Sequence, residues 1–145
     1  MTDDEKTKNR IFIRKKDREI YQSIKTANGI LSKASNSELF VMAMVLGFKE
    51  KGKGSLKNIS SDANEGFIRI ESVDDDSWNM IKAFALYEEE DVNVLGDIDK
   101  MLDIAEKYAN EGIKVLNKVY FDKDTDFTEV LEEKLINEFD SHEIG

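Results

Sequence analysis

The spacing of apolar residues changes along the chain, and each change marks an element. From Arg10 to Arg14 apolar and basic residues alternate, with Ile11 and Ile13 toward one side and Arg10, Phe12 and Arg14 toward the other. A period of two is that of a β-strand. A strand so short is not stable alone and must pair, either later in the chain or with a second copy. Ile20, Tyr21, Ile24 and Ala27 then fall at helical spacing. Asp17 stands where its carboxylate can cap that helix, and Asn28-Gly29 is placed to end it. Ser35 with Glu38 forms a capping-box pattern ahead of Leu39 to Phe48, which is apolar on nearly every face. A helix hydrophobic all round is central, so the segment at about 38–49 is expected to be the core.

Residues 52–66 read as a loop punctuated by Gly52, Gly54 and Gly66. Phe67 to Val73 is a second candidate strand, expected to pair with residues 10–14. Asp74-Asp75-Asp76-Ser77 is suited to capping a third helix, because negative charge sits well at a helix N-terminus. Trp78, Ile81, Phe84, Ala85 and Leu86 would supply its buried face. Ile98 to Tyr120 keeps the three/four spacing throughout and predicts one long helix. Gly112 inside it costs about 1 kcal/mol relative to Ala, which points to a close helix crossing. A last helix is expected over about Asp126 to Phe139. The chain thus reads as mainly α (α+β). It is expected to be a single domain, 1–145, around the central helix, with a small two-stranded β element at about 10–14 and 67–73 and with 1–8 and 141–145 disordered.

Charge adds an asymmetry to this pattern. Residues 1–60 carry 13 Lys/Arg against 7 Asp/Glu, whereas residues 61–145 carry 8 against 24, within a net charge of -10. If the two signs occupy opposite poles, one end can meet a polyanion that the other repels. No apolar run approaches the roughly 18–20 residues that span a bilayer, and the N-terminus lacks an apolar signal core. Cysteine is absent, which fits a cytoplasmic protein.

Little points to catalysis. The one histidine, His142, lies near the end, and there is no thiol, P-loop or dinucleotide-binding glycine pattern. No cofactor is expected. Asp122, Asp124, Asp126 and Glu133 occupy positions 1, 3, 5 and 12 of a calcium-binding loop. However, Phe127 stands where such a loop needs glycine, so a solvated acidic linker is the stronger reading. The basic N-terminal unit is the better candidate for binding. A short strand with alternating arginines, followed by two helices, is how ribbon–helix–helix DNA binders are built, with the strands of two copies paired in the major groove. Arg10, Phe12 and Arg14 would then face base edges, and Lys15, Lys16, Arg18, Lys51 and Lys53 would hold phosphates. Lys49 completes the expected basic face. Alternatively, the strand pairs within its own chain and those arginines meet only solvent.

Three blocks carry a resemblance: Arg10-Ile11 with Lys16-Asp17 and Ile20-Tyr21; Glu38-Leu39-Phe40 through Ala43 to Leu46-Gly47-Phe48-Lys49; and Tyr108-Ala109-Asn110-Glu111-Gly112. Together they resemble the small accessory proteins encoded beside bacterial DNA phosphorothioation (Dnd) systems. The first block is also similar in layout to the small E subunit of that machinery, a compact DNA-binding protein. The resemblance covers about residues 10–120 and departs in the acidic insert around Asp74-Asp75-Asp76 and in the acidic C-terminal third. It implies a non-catalytic accessory role in sulfur-based DNA modification or the linked restriction of phage, through DNA or a larger modification or restriction protein. Two further readings stand beside it. One is a homodimeric ribbon–helix–helix regulator. The other is an acidic protein–protein adaptor that uses Glu88, Glu89 and Glu90.

Overall fold

The structure, a computed structural model, describes residues 9–27, 29–59 and 62–121. The expectations for residues 1–8, for the helix at 126–139, for the tail at 141–145 and for the acidic cluster Asp122, Asp124, Asp126 and Glu133 lie outside the described residues. Strand β1 (Arg10–Ile13) leads through a short 3-10 turn into helix α1 (Arg18–Thr26). Helix α2 (Asn36–Lys51), strand β2 (Glu65–Arg69), helix α3 (Asp75–Glu89) and helix α4 (Ile98–Tyr120) follow. The described fold is mainly helical, with one antiparallel strand pair.

Helix α2 forms as its sequence requires. Ser35 Oγ accepts the Glu38 N–H at 3.1 Å, and the Glu38 carboxylate accepts the Ser35 N–H at 2.8 Å. This reciprocal box satisfies two backbone donors that a helix start leaves open. Behind it Leu39, Phe40, Ala43 and Met44 are wholly buried. The most extensive packing in the molecule is α2 against α4. Helix α4 spans the predicted residues and turns Met101, Leu102, Ala105, Tyr108, Ala109, Ile113 and Leu116 into the core. Gly112 stands at the crossing, as its cost in a helix implied. Phe48 at the far end of α2 gathers Phe84, Tyr87 and Tyr108, each edge-on to it.

Strand β1 pairs with β2 of its own chain, with a bulge between Ile11 and Phe12. Ile11, Ile13 and Ile68 are thereby turned into the core. The second strand begins and ends earlier than 67–73, since Ile70–Ser72 turn into a 3-10 segment that leads to α3. The Phe12 N–H donates to the Glu106 carboxylate on α4 at 2.9 Å, so that backbone donor serves α4 and not another strand. Of the two partners that the sequence left open for the first strand, β1 thus takes the one later in its own chain.

Two other local expectations are corrected. Asp17 sits at the start of α1 but makes no side-chain cap, because its carboxylate is taken by Arg14. Helix α1 stops at Thr26, with extended backbone at Ala27, instead of running to Asn28-Gly29. Helix α3 is capped as expected: Asp74 accepts both the N–H and the hydroxyl of Ser77, at 3.1 and 2.8 Å. These bonds hold the Asp74 carboxyl below its ordinary pKa, the hydroxyl contributing most. Of the expected apolar face, Ile81 and Ala85 are fully buried, but Leu86 is exposed. No described helix is long and apolar enough to cross a membrane.

Candidate interaction surface

The eight basic residues expected to form one face do not share a common environment. Arg14 is 5 % exposed. It donates through Nε to Asp17 and through Nη2 to the Asn110 carbonyl, both at 2.6 Å. The reason is local: β1 ends at Ile13, and the turn at Lys15–Asp17 swings the arginine inward over α4. Tyr21 lies within this cluster. Burial, reinforced by the negative Asp17, pushes its hydroxyl far above the usual phenol range. Arg14 is thus a structural cation, with no surface from which to reach a base or a phosphate.

Arg18 donates to the Glu65 carboxylate and to the Gly66 carbonyl, both at 2.7 Å, and stacks over Phe67. Lys51 lies 3.8 Å from Glu111. Lys53 pairs with Glu90 and sits over the Tyr87 ring. The stem of Arg10 lies over Gly66, where an added Cβ would come within 3.1 Å of the arginine Cδ. Arg10, Lys15, Lys16 and Lys49 are exposed. The expected segregation of charge into two poles is therefore corrected. Carboxylates from the acidic half fold back onto cations of the basic half, because the long α4 returns along α2 and brings Glu111 with it.

The acidic run at the end of α3 is also occupied. Glu88 accepts the Gly54 N–H at 3.1 Å and the Tyr108 hydroxyl at 2.7 Å, tying α3 to the end of α2. Burial, followed by this bond to Glu88, raises the Tyr108 pKa. Glu89 lies 3.9 Å from Lys100, and Glu90 carries Lys53.

A different surface is open. Between α3 and the start of α4 the chain makes a 3-10 segment, Val92–Gly96, entered through Asp91, whose carboxylate accepts the Asn93 N–H at 2.9 Å. This segment lays Leu95 beside Ile98. Together with Ile70, Trp78 and Met101 they line an open groove of about 560 Å3. Leu95 is 38 % exposed and Ile98 36 %, while Met101 forms the buried floor. Asp75, Asn79 and Lys82 stand along the α3 side, with the Lys82 ammonium 5.9 Å from the Trp78 ring centre. Leu86, one turn beyond Lys82, continues the apolar stripe. Between Glu71 and Asp99 the sequence holds ten carboxylates and one cation, Lys82. The signal in the sequence was Leu95 set among acids, but the groove exists only because a turn not predicted there folds it beside Trp78.

Glu106 and Asn110 were also missed, although both interrupt the buried stripe of α4 with polar groups. No group of three or more potential metal-ligating side chains occurs among the described residues.

Comparison with curated proteins and with solved structures found no significant match. A family model described as DNA sulphur modification system-associated protein 4 matches residues 10–144, which takes in every element from β1 to α4. That match includes the three sequence blocks and runs beyond the expected 10–120, through the acidic insert and the C-terminal third, and the chain belongs to the family of DNA sulphur modification system-associated protein 4.

Proposed function

We propose that this protein is a non-catalytic accessory component of its DNA sulphur modification system that acts by binding a partner protein, and not by gripping DNA itself. One observation carries the choice. Arg14, Arg18, Lys51 and Lys53, half of the expected basic face, are engaged by carboxylates of the same chain. Tight attachment to duplex requires several cations that exchange counterions for phosphates, and each internal ion pair removes one. The net charge of -10 works against approach to DNA from any direction. An open apolar groove with an aromatic wall supports the protein-binding reading. Its place would be the cytoplasm, beside the modification enzymes or the restriction proteins directed against phage.

Two measurements test this. Fluorescence anisotropy of labelled duplex at low salt is expected to show no binding by the protein alone. Sedimentation with the purified modification and restriction proteins of the same system is expected to show a complex. A duplex signal that falls steeply with salt and disappears on Arg10→Ala, Lys15→Ala and Lys16→Ala would replace this reading with direct DNA contact.

A further inference from the structure

We infer that the groove between the first turns of α2 and α3 is the docking site for a segment of a partner protein that carries lysine or arginine beside apolar side chains. The inference rests on the partner-binding reading and gives that partner its chemistry. This groove is separate from the one at Trp78.

Helix α2 is apolar on nearly every face, and a helix of that kind needs cover on every side. Leu39, Phe40, Ala43 and Met44 have it, but Val41 and Met42 are only partly buried. Together with Met80 of α3, and with Ala34 ahead of α2, they line an open groove of about 380 Å3. Val41 and Met42 follow Glu38 by three and four residues, so the three side chains share one side of the helix. Among the described residues that side is left open. Methionine is unbranched and adapts its shape, which suits a groove that receives apolar side chains from outside.

The lining itself decides the charge of the occupant. Glu38, Asp74 and Asp76 line the groove, and no lysine, arginine or histidine does. Glu38 accepts the Ser35 N–H, and Asp74 accepts the N–H and hydroxyl of Ser77. These donors are neutral, so neither bond cancels a charge. The N-termini of α2 and α3 supply about half a positive charge each, which leaves roughly two of the three negative charges uncompensated. A cation brought to this rim is attracted and a phosphate is repelled. A segment with apolar side chains against Val41, Met42 and Met80, and with its cations at the carboxylates, meets both requirements.

Occupants from this chain do not meet them. Residues 1–8 hold one apolar side chain, Met1, and three Asp/Glu against two Lys. Residues 122–145 carry nine Asp/Glu against two Lys and would bring like charge to the rim. A second copy placed groove to groove would oppose two sets of three carboxylates.

The methionines report on the site. Met42 and Met80 line this groove, Met44 is buried in the core, and Met101 floors the groove at Trp78. The probe is a synthetic peptide of Lys and Leu patterned as an amphipathic helix, added to the full chain carrying 13C-labelled methionine methyl groups. Oligolysine of equal charge and a Glu/Leu peptide of the same pattern are the controls. The Lys/Leu peptide is expected to move the Met42 and Met80 resonances and to leave Met44 and Met101 in place, and the controls to move none. Asp76→Lys, on an exposed position, is expected to weaken binding of the Lys/Leu peptide about tenfold or more. Val41→Asp makes the chain more acidic, so attachment by charge alone would strengthen, whereas seating in the groove predicts a loss of similar size. Circular dichroism checks both folds, and if Val41→Asp is unfolded, Asp76→Lys alone decides.

No shift with the Lys/Leu peptide, a shift at Met101 in place of Met42 and Met80, or unchanged affinity in Asp76→Lys overturns the inference. So does stronger binding by folded Val41→Asp, or self-association of the full chain that Asp76→Lys abolishes. Peroxide oxidation of Met42 and Met80 as slow as that of Met44 in the dilute full chain would show the groove already covered, and overturns it too. The partner-binding reading is judged separately. If the system's proteins bind wild type and Asp76→Lys equally, the groove assignment fails and the adaptor role stands. If none of them binds, the adaptor role fails whatever the peptide does.

Discussion

Gly47 on α2 and Gly112 on α4 face each other where the two helices cross, and neither has room for a side chain. A Cβ on Gly47 would overlap the Tyr108 carbonyl, and one on Gly112 would overlap the Ala43 carbonyl. The nearest obstruction in each case is backbone, which cannot rotate away. The pair therefore sets the closest approach of the two helices that form most of the core.

The first prediction follows from this crossing. On propensity alone, Gly112→Ala should stabilise α4 by about 1 kcal/mol. Overlap with backbone should outweigh that gain, giving a net loss of about 1–3 kcal/mol by urea unfolding. A variant more stable than wild type would mean that the helices separate without cost.

A second prediction separates two arginines that look alike in sequence. Arg14→Ala leaves Asp17 buried without its partner and is expected to cost about 3–5 kcal/mol. Arg10→Ala removes an exposed side chain and should change stability by no more than about 0.5 kcal/mol. Chemical denaturation of the two variants side by side decides it. Equal, small losses would show that the Arg14 cluster is open to water.

The capping box at the start of α2 gives a third. Ser35→Ala removes the acceptor for the Glu38 N–H and should lower stability by about 1 kcal/mol, while Ser35→Asp should retain most of it. Thermal melts of both variants are the check, and similar behaviour of the alanine and aspartate forms would argue against a cap.

Acid sensitivity provides a fourth. The Asp74 pKa is lowered in the folded state from its ordinary 3.8 by the bonds from Ser77. A carboxyl depressed on folding contributes stability that is fully present above the unfolded value and is lost as pH falls through the folded one. Asp74→Asn keeps an acceptor for the Ser77 N–H but cannot titrate. Between pH 5 and pH 2 the variant should therefore lose less stability than wild type. Parallel curves would show that the cap does not depend on charge.

Much of the scaffold was legible because its causes are local. Ser35 and Glu38 form their box within one turn, Asp74 caps with Ser77 three residues on, and the stripe from Ile98 to Tyr120 writes its own helix. Gly112 was informative for a similar reason: a residue that weakens a helix interior makes sense where another backbone comes close. By contrast, Arg14 and Arg10 share a strand pattern, and nothing near them says which one is buried. That depends on Asn110, which is 96 residues away along the chain. The candidate surface was illegible for the same reason, since Trp78, Leu95 and Ile98 come from two helices and the turn between them.

The sequence by itself determined helices α2, α3 and α4, the caps at Ser35 and Asp74, the apolar identity of residues 39–48 and the overall excess of negative charge, because each is set by neighbours within a few residues or by composition. Tertiary structure decided which cations are neutralised and which surface stays apolar and open. The return of α4 along α2 carries Glu106, Asn110 and Glu111 to positions that no local spacing encodes, and long-range electrostatic pairing follows from that path.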